Sequence, residues 1–281
     1  MTKPKHPYID MTGKRGIVFG VANDRSYATH IAQALVDAGA ECLFTHFPGE
    51  KMARRVEKAV ESIGIKDPWL MSCDAGSDED LDNVFNAVEK EFGTIDFIVH
   101  SIAFAEKEYL ELGRFHETPR EVFRQAMDIS AFTLLAMINR GRKLMPNGGS
   151  VIAMSYYGAE KVVPGYNVMG VAKSALEHTA KYIAAEVGVE GIRVNCISGG
   201  PLRTLAAMAV SSIEALLDHT EKFAPLRRNI DGSDVAQAAL FLLSPMSAGI
   251  TGEVMHVDSG FNILCNFPPL KAWEESTPNE K

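Results

Sequence analysis

One pattern limits what this chain can fold into: short apolar runs alternate with amphipathic helical stretches along its 281 residues. The runs fall at 16–20 (G-I-V-F-G), 41–46 (E-C-L-F-T-H), 69–73, 95–100 (I-D-F-I-V-H), 150–155 (S-V-I-A-M-S), 192–197 (I-R-V-N-C-I) and 253–257. Helical patterns fill the gaps at 26–39, 50–63, 78–92, 119–140, 166–187 and 233–243. Runs that are apolar nearly throughout suit strands covered on both faces. Strand–helix alternation predicts an α/β fold, a single-domain doubly wound parallel sheet of the Rossmann type with about seven strands and helices on both faces. Ligands of such sheets bind at the carboxyl ends of the strands. The expected dinucleotide-binding domain covers residues 1–265, and the polar, proline-bearing stretch 266–281 reads as a loose tail.

Composition narrows the function. Apolar residues make up 46% of the chain, enough for a full core. The net charge of −8 offers no basic field for a phosphate backbone, which excludes a nucleic-acid binder. No apolar run reaches membrane-spanning length, and M-T-K-P-K-H-P-Y-I-D at the start lacks the apolar segment of a signal peptide, so a cytoplasmic protein is expected. Cys42, Cys73, Cys196 and Cys265 are scattered without metal-ligand spacing and read as free thiols, mostly buried.

Chemistry concentrates between Tyr156 and Lys173. Pro164 and Gly165 close a loop after the fifth run, and a helix opens at Tyr166. Tyr166 and Lys173 are seven residues apart, which returns both to nearly one helix face about 10 Å apart along the axis. Tyr156, at the strand end, can point into the same crevice. A phenol donates a hydrogen bond or proton to an oxygen that gains charge when hydride arrives at a carbonyl-like centre. A nearby ammonium is expected to lower the phenol's pKa and can hold a ribose. The first strand–loop–helix turn reads G-V-A-N-D-R-S-Y-A, and the usual G-x-G-x-x-G is absent. Gly20 opens the turn and Ser26 leads into the helix, where an anion can meet the helix amino end.

That turn, with Gly20, Ser26 six residues on and then Ala28, resembles the enoyl-acyl carrier protein reductases, a divergent branch of the short-chain dehydrogenase/reductase superfamily. Further segments resemble the family in order: H-S-I-A-F-A at 100–105, D-I-S at 128–130, S-Y-Y-G-A-E at 155–160, Y-N-V-M-G-V-A-K at 166–173, R-V-N-C-I-S-G-G-P-L-R-T-L-A-A at 193–207, and S-A-G-I-T-G-E-V-M-H-V-D-S-G at 247–260. The likeness spans about residues 10–262. Ordinary members of the superfamily have Tyr and Lys four residues apart with an upstream serine. Tyr157 and Lys161 have that spacing, but Leu144 stands where the serine would be and Pro164 follows, so this pair is a decoy.

The resemblance implies reduction of the trans-2 double bond of an enoyl thioester in fatty acid biosynthesis. It implies Tyr156, Tyr166 and Lys173 as catalytic residues, Lys173 also holding the nicotinamide ribose. Gly20, Ser26 and Tyr27 would lie along the pyrophosphate, Asp74 and Ala75 at the adenine, and Ile102 near the adenosine ribose and the nicotinamide side. Leu202, Arg203, Thr204, Leu205 and Ala206 would contact the nicotinamide, and Ala105 would border the substrate beside Tyr156 and Tyr166. Phe47 stands where the family commonly has a polar residue near the adenosine ribose, and Tyr27 where an aliphatic residue is expected. Lys51, Arg54 and Arg55 lie just beyond Phe47, so NADH is the expected cofactor and NADPH stays open. The stretch 202–228 would be a mobile lid or a pair of short core helices. The family also implies a homotetramer and an encounter with acidic acyl carrier protein, for which Arg203, Arg227 and Arg228 are candidates. A carbonyl or alcohol oxidoreductase and a non-enzymatic dinucleotide sensor are the competing readings.

Overall fold

Gly16 shows how tightly the sheet is assembled, since a Cβ there would lie 2.3 Å from the Phe97 ring on the neighbouring strand. The structure, a computed structural model, describes residues 8–204, 207–209 and 213–264. In chain order the main elements are β1 (Arg15–Phe19), α1 (Tyr27–Asp37), β2 (Glu41–His46), α2 (Glu50–Ser62), β3 (Leu70–Ser72), α3 (Asp78–Phe92) and β4 (Phe97–His100). Then come α4 (Arg120–Met127), α5 (Thr133–Gly141), β5 (Gly149–Ser155), α6 (Asn167–Val187), β6 (Ile192–Gly199), α7 (Ile213–Phe223), α8 (Gly232–Leu243) and β7 (Val254–Val257).

The strands form one sheet of seven in the order β3-β2-β1-β4-β5-β6-β7, every pair parallel. Order reverses between β1 and β4, which is where a doubly wound sheet opens its ligand crevice. On one face α3, α5 and α6 bury Leu81, Val84, Leu134, Met137, Leu176 and Ile183 against Ile17, Ile98, Val151 and Val194. On the other, α1, α2 and α8 bury Ile31, Leu35, Val56, Val60, Leu240 and Leu243 against Val18, Phe44, Val99 and Ile152. Alternate residues of each central strand therefore enter opposite cores, which is why the runs are apolar throughout.

The expected helix at 119–140 does form, but not as one α-helix. A π-helical turn, Asp128–Phe132, separates α4 from α5. Such turns widen a helix locally and often mark functional sites. Here Ser130 Oγ accepts from Phe104 N at 3.0 Å and donates to Phe104 O at 3.2 Å, pinning the loop after β4. Cys73 and Cys196 are buried free thiols and Cys42 is half-buried. No helix among the described residues is long and apolar enough to cross a membrane. The tail at 266–281, Cys265, and the cofactor candidates Leu205 and Ala206 lie outside the described residues.

Candidate active site

Most described candidates follow strand ends on the same rim: Gly20 after β1, Phe47 after β2, Asp74 and Ala75 after β3, Ile102 and Ala105 after β4, Tyr156 after β5, and Leu202, Arg203 and Thr204 after β6, while Ser26 and Tyr27 open α1. Tyr166 and Lys173 reach that rim from the start of α6. The parallel sheet thus brings together residues up to 184 positions apart in sequence, Gly20 to Thr204.

Gly20 has φ +99°, and a Cβ would lie 2.1 Å from the carbonyl oxygen of Ser101 after β4. Only glycine lets the β1–α1 turn press so close to the neighbouring strand. Ser26 is buried, and its hydroxyl donates to Asn23 O at 2.8 Å and pairs with Thr29 Oγ1 at 2.8 Å. Its side chain holds the turn in shape and makes no hydrogen bond to cap α1. Thus α1 begins with no side-chain cap among the described residues and no acid in its first turn. By contrast, Ser77 caps α3, whose first turn carries three acids, and Asp231 closes a capping box on α8. An uncapped helix start without an acid suits a pyrophosphate, so the turn fits the expected dinucleotide. Tyr27 belongs in this turn despite its bulk: its hydroxyl donates to Gly200 O at 2.5 Å, tying α1 to the end of β6. Asp74 Oδ1 accepts from Gly76 N at 2.9 Å and remains half-buried at the rim.

Phe47 is 58% exposed. Beyond it Lys51, Arg54, Arg55 and Lys58 line a cavity of about 510 Å³ together with Asn23 and Asp24 of the β1–α1 loop. Arg54 is partly engaged, 3.2 Å from Glu50.

The chemical side of the crevice is built by close packing around Tyr166. A Cβ on Gly158 would lie 2.4 Å from the Tyr166 ring, and one on Gly170 would lie 2.7 Å from Gly158 O. The two glycines let the 3-10 turn Tyr157–Ala159 sit on the start of α6. Asn167, next to Tyr166, has φ +45°, and its amide donates to Tyr109 O and Glu111 O, both at 2.8 Å. Asparagine tolerates that left-handed backbone, and the strain fixes where Tyr166 points. Tyr166 and Tyr156 meet edge to face with ring centroids 4.8 Å apart. Ala105 and Tyr166 pack on the same small cluster, with Leu110, Val168 and Met169.

The decoy pair stays linked through backbone, with Lys161 N donating to Tyr157 O at 3.1 Å. The Tyr157 hydroxyl donates to Asn262 O at 3.3 Å, and Lys161 is exposed.

Electrostatics correct one expectation. Lys173 is 5% exposed and donates to Met154 O at 2.6 Å. Burial pulls its pKa down to about 8. Tyr166, however, is pushed well above the ordinary phenol range, first by burial and then by Tyr156, Tyr27 and Glu177. Tyr156 is raised to about 12 by burial and Asp258. Lys173 donates an N–H to a strand carbonyl, and the neighbours that act on Tyr166 raise its pKa rather than lower it. Both phenols are thus held in the protonated form at neutral pH.

Several residues escaped sequence reasoning. His100 is fully buried, its Nε2 bonds Thr133 Oγ1 at 2.8 Å, and burial followed by the Lys173 charge lowers its pKa to about 3. Glu177 is 5% exposed and accepts from Ser155 Oγ at 2.5 Å. Its signal was present: an acid one helical turn after a site lysine. Gly158 and Asn167 lay inside the Tyr–Lys motif, but their roles depend on contacts with distant backbone.

The arginines of the 202–228 stretch are occupied. Arg203 makes a bidentate pair with Glu214, and Arg228 another with Asp234. Arg227 donates to Lys222 O. Within the same stretch, α7 buries Ile213, Leu217 and Thr220.

Comparison with known proteins agrees with this geometry. The sequence model of a family described as enoyl-(acyl carrier protein) reductase matches residues 20–262. The chain is 46% identical, over 90% of its length and 92% of the relative's, to enoyl-[acyl-carrier-protein] reductase [NADH] 1 of Rhizobium meliloti. Its fold matches the Bacillus cereus enoyl-acyl carrier protein reductase solved with NADP+ and an indole naphthyridinone, with TM-score 0.88, 43% identity, and coverage of 92% of this chain and 99% of that one. It also matches the Anaplasma phagocytophilum reductase solved with NAD, with TM-score 0.87, 43% identity, and coverage of 93% and 98%. With a doubly wound sheet, an uncapped dinucleotide turn and paired tyrosines beside a buried lysine, the chain belongs to the enoyl-acyl carrier protein reductase family.

Proposed function

We propose that this protein reduces the trans-2 double bond of an enoyl thioester carried on acyl carrier protein, with NADH as the reductant. The observation that carries this reading is the packing of Tyr156 against Tyr166, two protonated phenols, at the strand end beside buried Lys173.

Bound nicotinamide supplies the hydride that adds to the β-carbon of the acyl group. The chain's own residues handle binding and charge. The start of α1 and the Gly20 turn hold the pyrophosphate, Asp74 accepts from the adenine amine, and Lys173 holds the nicotinamide ribose. Tyr166 donates to the thioester oxygen as it becomes enolate-like, a stabilisation that grows toward the transition state. Tyr156 supports Tyr166 and shapes the acyl pocket next to Ala105. Orientation and oxyanion stabilisation together lower most of the barrier. The α-carbon then takes a proton, so each turnover consumes one from solvent.

The cluster of Lys51, Arg54, Arg55 and Lys58 beyond Phe47 makes NADPH a second candidate reductant. Since the lid arginines are ion-paired, carrier-protein docking at Arg203 and Arg228 would require those pairs to open. The protein acts in the cytoplasm and as a homotetramer, in keeping with the family likeness.

The test is loss of reduced-nicotinamide absorbance with a short enoyl thioester, run with NADH and NADPH side by side and with ketones as controls. Turnover of the thioester with NADH is expected. Binding of NADH without turnover of any thioester would favour a dinucleotide sensor, and faster reduction of ketones a carbonyl reductase.

A further inference from the structure

β5, β6 and β7 set Ser155, Ser198 and His256 at one level, since Ser155 pairs in register with Ser198 and Ser198 with His256. Side chains at one level of a parallel sheet share a face. That face is the one α6 covers, because Ser155 donates to Glu177 on α6. One level earlier, two residues before the row, the same face is apolar, with Ala153, Cys196 and Val254. The row itself is short of partners. Ser198 is 1% exposed and its Oγ has no hydrogen-bond partner among the described residues. His256 Nε2 lies 2.8 Å from Glu160 Oε1, but out of line for a hydrogen bond. Glu160 is exposed. A buried hydroxyl without a partner, beside a half-buried imidazole, costs stability unless it serves a purpose.

The proposed reaction creates a purpose, and a role for the row in turnover rests on that reading. Reduction consumes a proton at each turnover, while Lys173 is buried and Tyr166 is half-buried. Glu177 is one helical turn beyond Lys173, and both Tyr166 and Lys173 sense its charge. We infer that Glu177, Ser155, Ser198, His256 and Glu160 form the route by which solvent protons reach the Tyr166–Lys173 pair. Tyr166 gives its proton to the reduced acyl group. The pair takes one back from the Glu177 carboxyl, and the carboxylate left behind is reprotonated through Ser155, Ser198 and His256 from Glu160 and water. No electron moves along the row, and one proton enters for each proton given to product. Glu177 acts through its neighbours and is a positioning residue, not a catalytic one.

The groups facing Glu177 are Ser155 on β5, Cys196 on β6, His256 on β7, Glu160 above them, and Lys173 and Lys181 on its own helix. Burial raises its pKa above the usual carboxylate value, opposed by the Ser155 hydrogen bond.

The experiment compares wild type, Glu177→Gln, Ser198→Ala and His256→Phe with NADH and an enoyl thioester, across roughly pH 6 to 9 and in both H2O and D2O. For Glu177→Gln, kcat should fall about tenfold at neutral pH, fall further as pH rises, and show a larger solvent isotope effect. KM for NADH should not change. Ser198→Ala and His256→Phe should shift in the same direction by less, and they keep the test alive if the Glu177 variant folds poorly. Wild-type kcat, pH profile and isotope effect in these variants would overturn the route. So would a uniform loss at every pH with an unchanged isotope effect, the mark of a packing defect. A wild-type protein that reduces no enoyl thioester would instead remove the functional reading, and the route with it.

Discussion

At the β1–α1 turn the crevice is made of backbone, whereas at β5–α6 it is made of side chains. The turn acts through an uncapped helix start, a glycine at φ +99° and hydroxyls that brace the loop. The β5–α6 side acts through two phenols and an amine held in an apolar setting. Where backbone is the functional group, position and fold cannot be separated, so damage to one is damage to both. Where side chains are, the scaffold can survive the loss of the reacting atom.

Four variants probe that contrast, from the largest effect to the smallest. Gly20→Ala forces a side chain into left-handed backbone against Ser101 O, and should cost about 3–4 kcal/mol in urea denaturation along with dinucleotide binding. A variant of wild-type stability would break the comparison at its first arm. Tyr166→Phe should stay within about 1 kcal/mol of wild type by the same measurement, yet lose roughly 10²–10³ in kcat. Loss of fold in that variant would show the two arms to be alike.

Lys173→Met sharpens the second arm through pH. Burial lowers the folded-state pKa to about 8 from an ordinary 10.5. Below pH 8 the lysine is charged in both states and its burial penalty is present in full. Between those values the unfolded chain holds more protons, so wild-type stability gains with rising pH from this group. Lys173→Met should abolish that gain and stabilise the resting protein at neutral pH by about 1–3 kcal/mol, while weakening NADH binding measured by fluorescence titration. Tyr27→Phe removes one hydrogen bond between α1 and Gly200, and should lower stability by about 1 kcal/mol with a small loss of NADH affinity. An affinity loss as large as that of Gly20→Ala would mean that the Tyr27 hydroxyl, not the backbone, governs the turn.

The sheet was readable because both of its faces are covered. Val151, Ala153 and Ile152 enter opposite cores, so the run had to be apolar throughout. The Tyr166–Lys173 spacing was readable because helical periodicity is local. The π turn at Asp128–Phe132 was not, since a single inserted residue that widens one turn from i→i+4 to i→i+5 bonding leaves the flanking amphipathic pattern readable as one helix. Nor was the state of Tyr166, whose pKa depends on burial and on three neighbours from α1, β5 and α6.

The sequence alone determined the order of elements, the all-parallel sheet and the identity of the tyrosines and lysine, because apolar period and motif spacing are properties of neighbours along the chain. Tertiary structure decided which groups hold protons and which are already engaged. Lys173 on Met154 O, Ser26 on Asn23 O and Glu177 under Ser155 are each set by how close packing excludes water and where the nearest partner lies.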